Sequence, residues 1–134
     1  MKSILEEFHS GKKRVNIGAI SIKTAKMLNM DIEYKNIIMW KDRLSHIEKH
    51  KLEYISVNQY ELHINMIPDI ISEPDYIGKS KNGNGIEFIK KIDEISMVAV
   101  RVNNKNELFF RSLYPISKSK LANRIKSGRW MKYS

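Results

Sequence analysis

Apolar positions recur at helical spacing through much of the first half of the chain and alternate in the second. Lys2 to Ser10 reads as a short helix ended near Gly11, and Val15 to Ile20 as an extended segment broken by Gly18. Ser21 is placed to cap a helix in which Ile22, Ala25, Met27 and Leu28 run on to Asn29. Asn36 to Trp40 predicts a short buried strand. Lys41 to Lys51 predicts a polar helix with Leu44 and Ile47 turned inward. Ser56 caps a further helix, with Tyr60, Ile64, Ile67 and Ile71 as its apolar stripe. Pro68 falls inside that stripe, so the helix must kink or restart there.

The texture changes after Pro74. Asp75 to Gly78 is a strand candidate, and Lys79 to Gly85 is a turn whose Asn-Gly pair supplies the positive φ of a tight hairpin. Ile86 to Ile92 and the β-branched run Ile95 to Val102 are strands joined through Asp93-Glu94. Asn103 to Asn106 is a second hairpin turn, and Glu107 to Tyr114 is the last strand, stopped by Pro115. Ser117 caps a helix from Lys118 to about Ser127, and Gly128 ends it. The order predicts one α+β domain over residues 1–134, helices first, then a four-stranded antiparallel sheet, then a C-terminal helix. Residues 1–14 are expected to form a loosely attached helix.

Charge sharpens this division. Residues 1–77 hold 11 Lys/Arg and 11 Asp/Glu, whereas residues 78–134 hold 13 Lys/Arg against 4 acids and carry the whole net charge of +9. The last 20 residues contain Lys118, Lys120, Arg124, Lys126, Arg129 and Lys132 and no acid. Segregated positive charge concentrates a polyanion, which favours nucleic acid over the rival readings of a solvated face or an anionic membrane contact. The chain has no cysteine, which excludes disulfides, thiolate metal sites and a cysteine nucleophile. It lacks a signal-like start and any run of membrane-spanning length, so a soluble cytoplasmic protein is expected.

Three constellations could carry chemistry. His46 and His50 stand at i and i+4 of the predicted polar helix, with Arg43 a turn earlier, and two histidines can serve as general base and general acid. A zinc pair is the rival, but Lys49 and Ile47 stand where zinc-protease patterns need glutamate; two solvent-facing histidines is the plainer alternative. In Phe109-Phe110-Arg111-Ser112-Leu113-Tyr114-Pro115, Arg111 offers a fork to phosphate, Ser112 a hydroxyl, and Tyr114 a stacking ring or a proton. Strict alternation puts Phe110, Ser112 and Tyr114 on one face and Phe109, Arg111 and Leu113 on the other. A bulge, or an arginine reaching round an edge, is needed for Arg111 and Ser112 to share a site. Trp130 and Tyr133, among Arg129 and Lys132, either stack on unpaired bases or cap the core. His9 and His63 have no polar company in sequence and read as surface histidines.

In order along the chain, several of these pieces resemble a known family: Val15 to Ile20, Leu44 to His50, Ile67 to Ile77, Ile86 to Ile92 and Arg111 to Ser117. The most specific are the His-x-x-x-His segment, the Ile67-Pro68 to Tyr76-Ile77 stretch and the Arg111-Ser112-x-Tyr114 strand end. Together they are similar to the phage-type branch of the barnase–EndoU–colicin–RelE-like nucleases, from about Val15 to Lys126. The resemblance implies a metal-independent ribonuclease of toxin or phage-effector type, with no cofactor, acting in the cytoplasm of a bacterial host or target cell on RNA, tRNA among the candidates. Carried over by motif, His46, His50, Arg111, Ser112 and Tyr114 would be catalytic. Lys90, Lys118, Lys120, Arg43 and Arg129 would hold the substrate, and an acidic immunity or antitoxin protein would be the partner. A non-catalytic nucleic-acid-binding module on the same scaffold is the alternative.

Overall fold

A computed structural model describes residues 3–134; Lys2, the expected start of the first helix, lies outside the described residues. The chain alternates helices α1 (Ile4–His9), α2 (Ile22–Leu28), α3 (Asp42–Glu48), α4 (Val57–Asn65) and α5 (Ile67–Ser72) with strands β1 (Arg14–Ala19) and β2 (Asn36–Trp40). The meander β3 (Tyr76–Lys79), β4 (Gly85–Lys91), β5 (Ile95–Val102) and β6 (Leu108–Pro115) follows, then α6 (Lys118–Lys126) and β7 (Trp130–Lys132). The class is α+β, but the sheet has seven strands rather than four, in the order β1-β2-β6-β5-β4-β3-β7. The expected four form its centre. The early extended segments join one edge and β7 the other, and every pairing is antiparallel except β2 with β6.

Local chemistry explains most boundaries. Ser21, Ser56 and Ser117 each accept a backbone N–H from the first turn of their helices, satisfying one of the donors a helix start leaves orphaned. The stripe predicted across Pro68 restarts at Met66, with Pro68 in the first turn of α5, where its missing N–H costs nothing. Helices α1 to α5 cover one sheet face. Phe8, Ile47, Ile64, Ile67 and Ile70 pack on Ile86, Phe88, Val98, Val100, Phe110 and Leu113 in the main core. The helix expected to hang loosely buries Ile4 and Phe8 in that core. The opposite face is covered only at its β7 end, where Leu121 of α6 and Trp130 close over Ile89, Met97 and Ile116. Its remaining surface, across β4, β5, β6, β2 and β1, holds the candidate site.

Two placements differ from expectation for physical reasons. The predicted helix over 41–51 stops at Glu48, and a short 3-10 turn follows over Lys51–Glu53. His46 and His50 therefore do not share one helix; His50 precedes the 3-10 turn. His63 is fully buried rather than at the surface. Its Nδ1 meets the Ser96 hydroxyl, which also bonds the Tyr54 hydroxyl at 2.7 Å. Ser96 lies 33 residues away in sequence, which is why His63 looked isolated.

Candidate active site

The site begins with one extra residue. In the β5–β6 ladder, Ala99 pairs with Ser112 and Val100 with Phe110, so Arg111 has no partner across the ladder. This bulge breaks the alternation expected from the sequence. Phe110 and Leu113 both enter the main core, while Arg111, Ser112 and Tyr114 line a common cleft on the other face. The expectation that alternation puts Phe110 on the face of Ser112 and Tyr114, and Leu113 on that of Arg111, is corrected accordingly.

The bulge also coincides with the end of a ladder. β2 stays in register with β6 only at Ile37–Leu108 and Ile38–Phe109. Beyond that point α3 packs alongside β6 in place of a strand. The Arg111 carbonyl would otherwise lose its ladder partner. Arg43 of α3 meets this need, donating from Nε and Nη2 to that oxygen at 3.1 and 2.5 Å. The same helix brings His46 close enough for charge on Arg111 and His50 to act on it. Its pKa is lowered, first by burial and then by Arg43, Lys49, His50 and Arg111. The His50 ring lies 5.2 Å from the Tyr114 ring, and its Nδ1 meets the Glu53 carboxylate. That contact assigns the Nδ1 proton to the carboxylate side and leaves Nε2 for a ligand.

A row of small and polar side chains forms the floor. In register across β7, β3, β4, β5 and β6 stand Trp130, Gly78, Glu87, Ala99 and Ser112. Gly78 is required here: a Cβ would come within 2.0 Å of the Arg129 carbonyl oxygen and 2.8 Å of Trp130 Cδ1. The space lets the indole lie across β3 and donate from Nε1 to Glu87 at 2.9 Å. Arg129 donates to both oxygens of the same carboxylate, at 3.1 and 3.0 Å. Ala99, short and central, leaves a cleft of about 260 Å³ bounded by Glu87, Arg101, Arg111, Ser112 and Tyr114. The Ser112 hydroxyl is buried and has no hydrogen-bond partner among the described residues. Tyr114 stands half-buried at the cleft wall, with its pKa raised, chiefly by burial and then by Glu87. Lys120 lies over its ring at 5.3 Å.

The expected residues thus divide. Arg111, Ser112 and Tyr114 line the cleft, His50 and Lys120 flank the Tyr114 ring, Arg43 is taken up by the Arg111 carbonyl, and His46, on the same helix as Arg43, is not among the cleft's lining residues. Lys118 is exposed at the start of α6. Arg129 is occupied by Glu87 and completes the floor instead of standing open to a substrate. Lys90 lies on the helix-covered face, donating to the Glu73 carbonyl at 2.7 Å, and does not line the cleft. Of the open alternatives for the tail, Trp130 is buried in the smaller core, and Tyr133 is half-buried with its hydroxyl on Ser21 at 2.9 Å. Glu87 escaped the sequence reading, because an acid in the basic half has no motif around it; its register opposite Gly78 and Ala99 gives it meaning.

Fold and cleft together define an α+β sheet domain that can hold an anion beside proton-carrying side chains. The family model described as phage-Barnase-EndoU-ColicinE5/D-RelE like nuclease3 matches residues 15–123, and the chain belongs to that nuclease family. No curated protein and no solved structure gives a significant match. Among the described residues, no helix is long and apolar enough to cross a membrane.

Proposed function

We propose that the protein is a metal-independent endoribonuclease that cleaves by internal transphosphorylation. One imidazole takes the proton of the ribose 2′-hydroxyl, the 2′-oxygen attacks the adjacent phosphorus, and the 5′-oxygen leaves with a proton from a second group. The lowered pKa of His46 keeps it neutral near pH 7, which suits a base. His50, oriented by Glu53 and stacked near Tyr114, suits the acid, with Tyr114 beside it. Arg111 and the Ser112 hydroxyl meet the phosphate oxygens as charge builds on them. The observation that carries this reading is the bulge that turns Arg111, Ser112 and Tyr114 into one cleft.

Two readings compete with it. Glu87 lines the cleft and offers a carboxylate as an alternative proton acceptor. A non-catalytic nucleic-acid-binding module would use the same cations and no base. Incubation with RNA in EDTA tests the proposal: cleavage should persist and leave 2′,3′-cyclic phosphate ends, and DNA should survive. Intact RNA, or cleavage restored only by added metal, refutes it. His46→Ala should then abolish cleavage and spare binding, whereas a binding module would be indifferent to it. A toxin or effector role, tRNA as substrate, and an acidic inhibitor protein follow as further parts of the proposal; an inhibitor of so basic a face is expected to be acidic.

A further inference from the structure

A second groove, apart from the cleft, is lined by Arg14, Lys35, Ile38, Trp40 and Phe109. Trp40 ends β2 and is 43% exposed, although its segment reads as a buried strand. It pairs in register with Arg14 of β1, whose guanidinium carbon stands 5.6 Å above the indole. β2 pairs with β6 at Ile37–Leu108 and Ile38–Phe109, and Trp40 lies beyond that ladder. Half-buried Phe109 lies in the next row, in register with Ile38 and Arg101, and shares a groove with Trp40 and Lys35.

The groove holds Arg14 and Lys35 against one acid, Glu107, and a large ring left in water beside two cations is poorly explained by packing. An apolar protein partner would not select so cationic a surround. A single-stranded nucleic acid satisfies both features, since each nucleotide brings a π-face and a phosphate.

We propose that Trp40, with Phe109 in the same groove and Arg14 above its ring, is a stacking platform for a base of a single-stranded nucleic acid. It binds single strands, and Arg14 takes the following phosphate. The proposal rests on the nuclease reading for its substrate class, but stacking on Trp40 can be measured without any cleavage.

The probe is a single-stranded DNA oligonucleotide, which has no 2′-hydroxyl to react, followed by Trp40 fluorescence. Trp130 is 2% exposed and should respond little. Binding should quench Trp40. Trp40→Ala should weaken binding roughly 5- to 150-fold, the range a stacked base contributes, without changing the salt slope. Trp40→Phe should recover part of the loss. Arg14→Gln should instead reduce the salt slope by about one phosphate contact. Thermal melts should match wild type in all three. No quenching, equal affinity in Trp40→Ala, or binding only to duplex overturns the platform. So does a self-associating protein that Trp40→Ala returns to monomer without loss of oligonucleotide affinity. If RNA survives the cleavage assay while Trp40→Ala still weakens the single strand, the nuclease reading fails and the platform stands. If RNA is cut and Trp40→Ala binds as wild type, the reverse holds.

Discussion

Replacing Glu87 with glutamine takes one charge out of a group that three donors surround. The Glu87 side chain is 8% exposed and that of Arg129 is 25% exposed. Removing one partner of a buried ion pair costs roughly 3–5 kcal/mol, mostly because the remaining charge is stranded. Arg129 is a quarter exposed and can recover some water, and glutamine keeps one acceptor for either Trp130 or Arg129. Both effects bring the expected loss down to about 2 kcal/mol, or about 8 °C in Tm for a chain of this size. The assay is urea denaturation in a Trp40→Phe background, where Trp130 alone reports. The decisive quantity is the coupling energy in a cycle with Arg129→Gln, expected at about 1 kcal/mol or more. A coupling below about 0.5 kcal/mol would refute the claim that this carboxylate anchors β7 to the sheet. Full stability with lost cleavage would instead move Glu87 from scaffold to chemistry.

Two further predictions follow from the same core and its surroundings. Gly78→Ala should lower stability by about 2–3 kcal/mol, because its Cβ would collide with the Arg129 carbonyl and the Trp130 ring. An unchanged Tm would mean that β7 docks loosely. His63, buried with its pKa lowered by desolvation against the opposing pull of Glu94 and Asp93, should make the fold acid-sensitive. The unfolded chain takes that proton near pH 6.5, whereas the folded chain takes it only at lower pH. The contribution is therefore complete above about pH 6.5 and shrinks as pH falls from there towards the folded value. Denaturation midpoints at pH 7 and pH 5 should differ less in His63→Asn than in wild type, and equal slopes would refute this.

The sequence made the central meander legible because its strands carry β-branched runs and its turns carry Asn and Gly. The helix caps were legible because Ser21, Ser56 and Ser117 each precede an apolar period. The sheet's full width was hidden. Val15 to Ile20 and Asn36 to Trp40 read as extended, but nothing local says that β2 joins β6 in parallel, and a three-residue β7 is too short to show alternation. Arg111, Ser112 and Tyr114 were visible as chemistry and not as a cleft, because the bulge that unites them depends on pairing with Ala99 and Val100. His63 and Glu87 were invisible for one reason: their partners lie 33 or more residues away. Trp40 was misread because aromatic residues in an apolar run are usually core, whereas here β1 and β2 carry the sheet beyond what the second face's small core can cover.

The bulge at Arg111 has a consequence for how such a site can be gained or lost. Point substitutions at 111 or 112 change what the cleft holds, but the shared orientation of those two residues comes from the number of residues between Phe110 and Leu113. Deleting one of the pair would restore an ordinary ladder, leaving Leu113 inward and Tyr114 outward. The shortened strand would be more regular and would hold one fewer group for phosphate. The distinction between a plain sheet and a candidate active site is thus partly one of length. A single in-frame codon separates a regular ladder from one in which Arg111 and Ser112 face the same cleft.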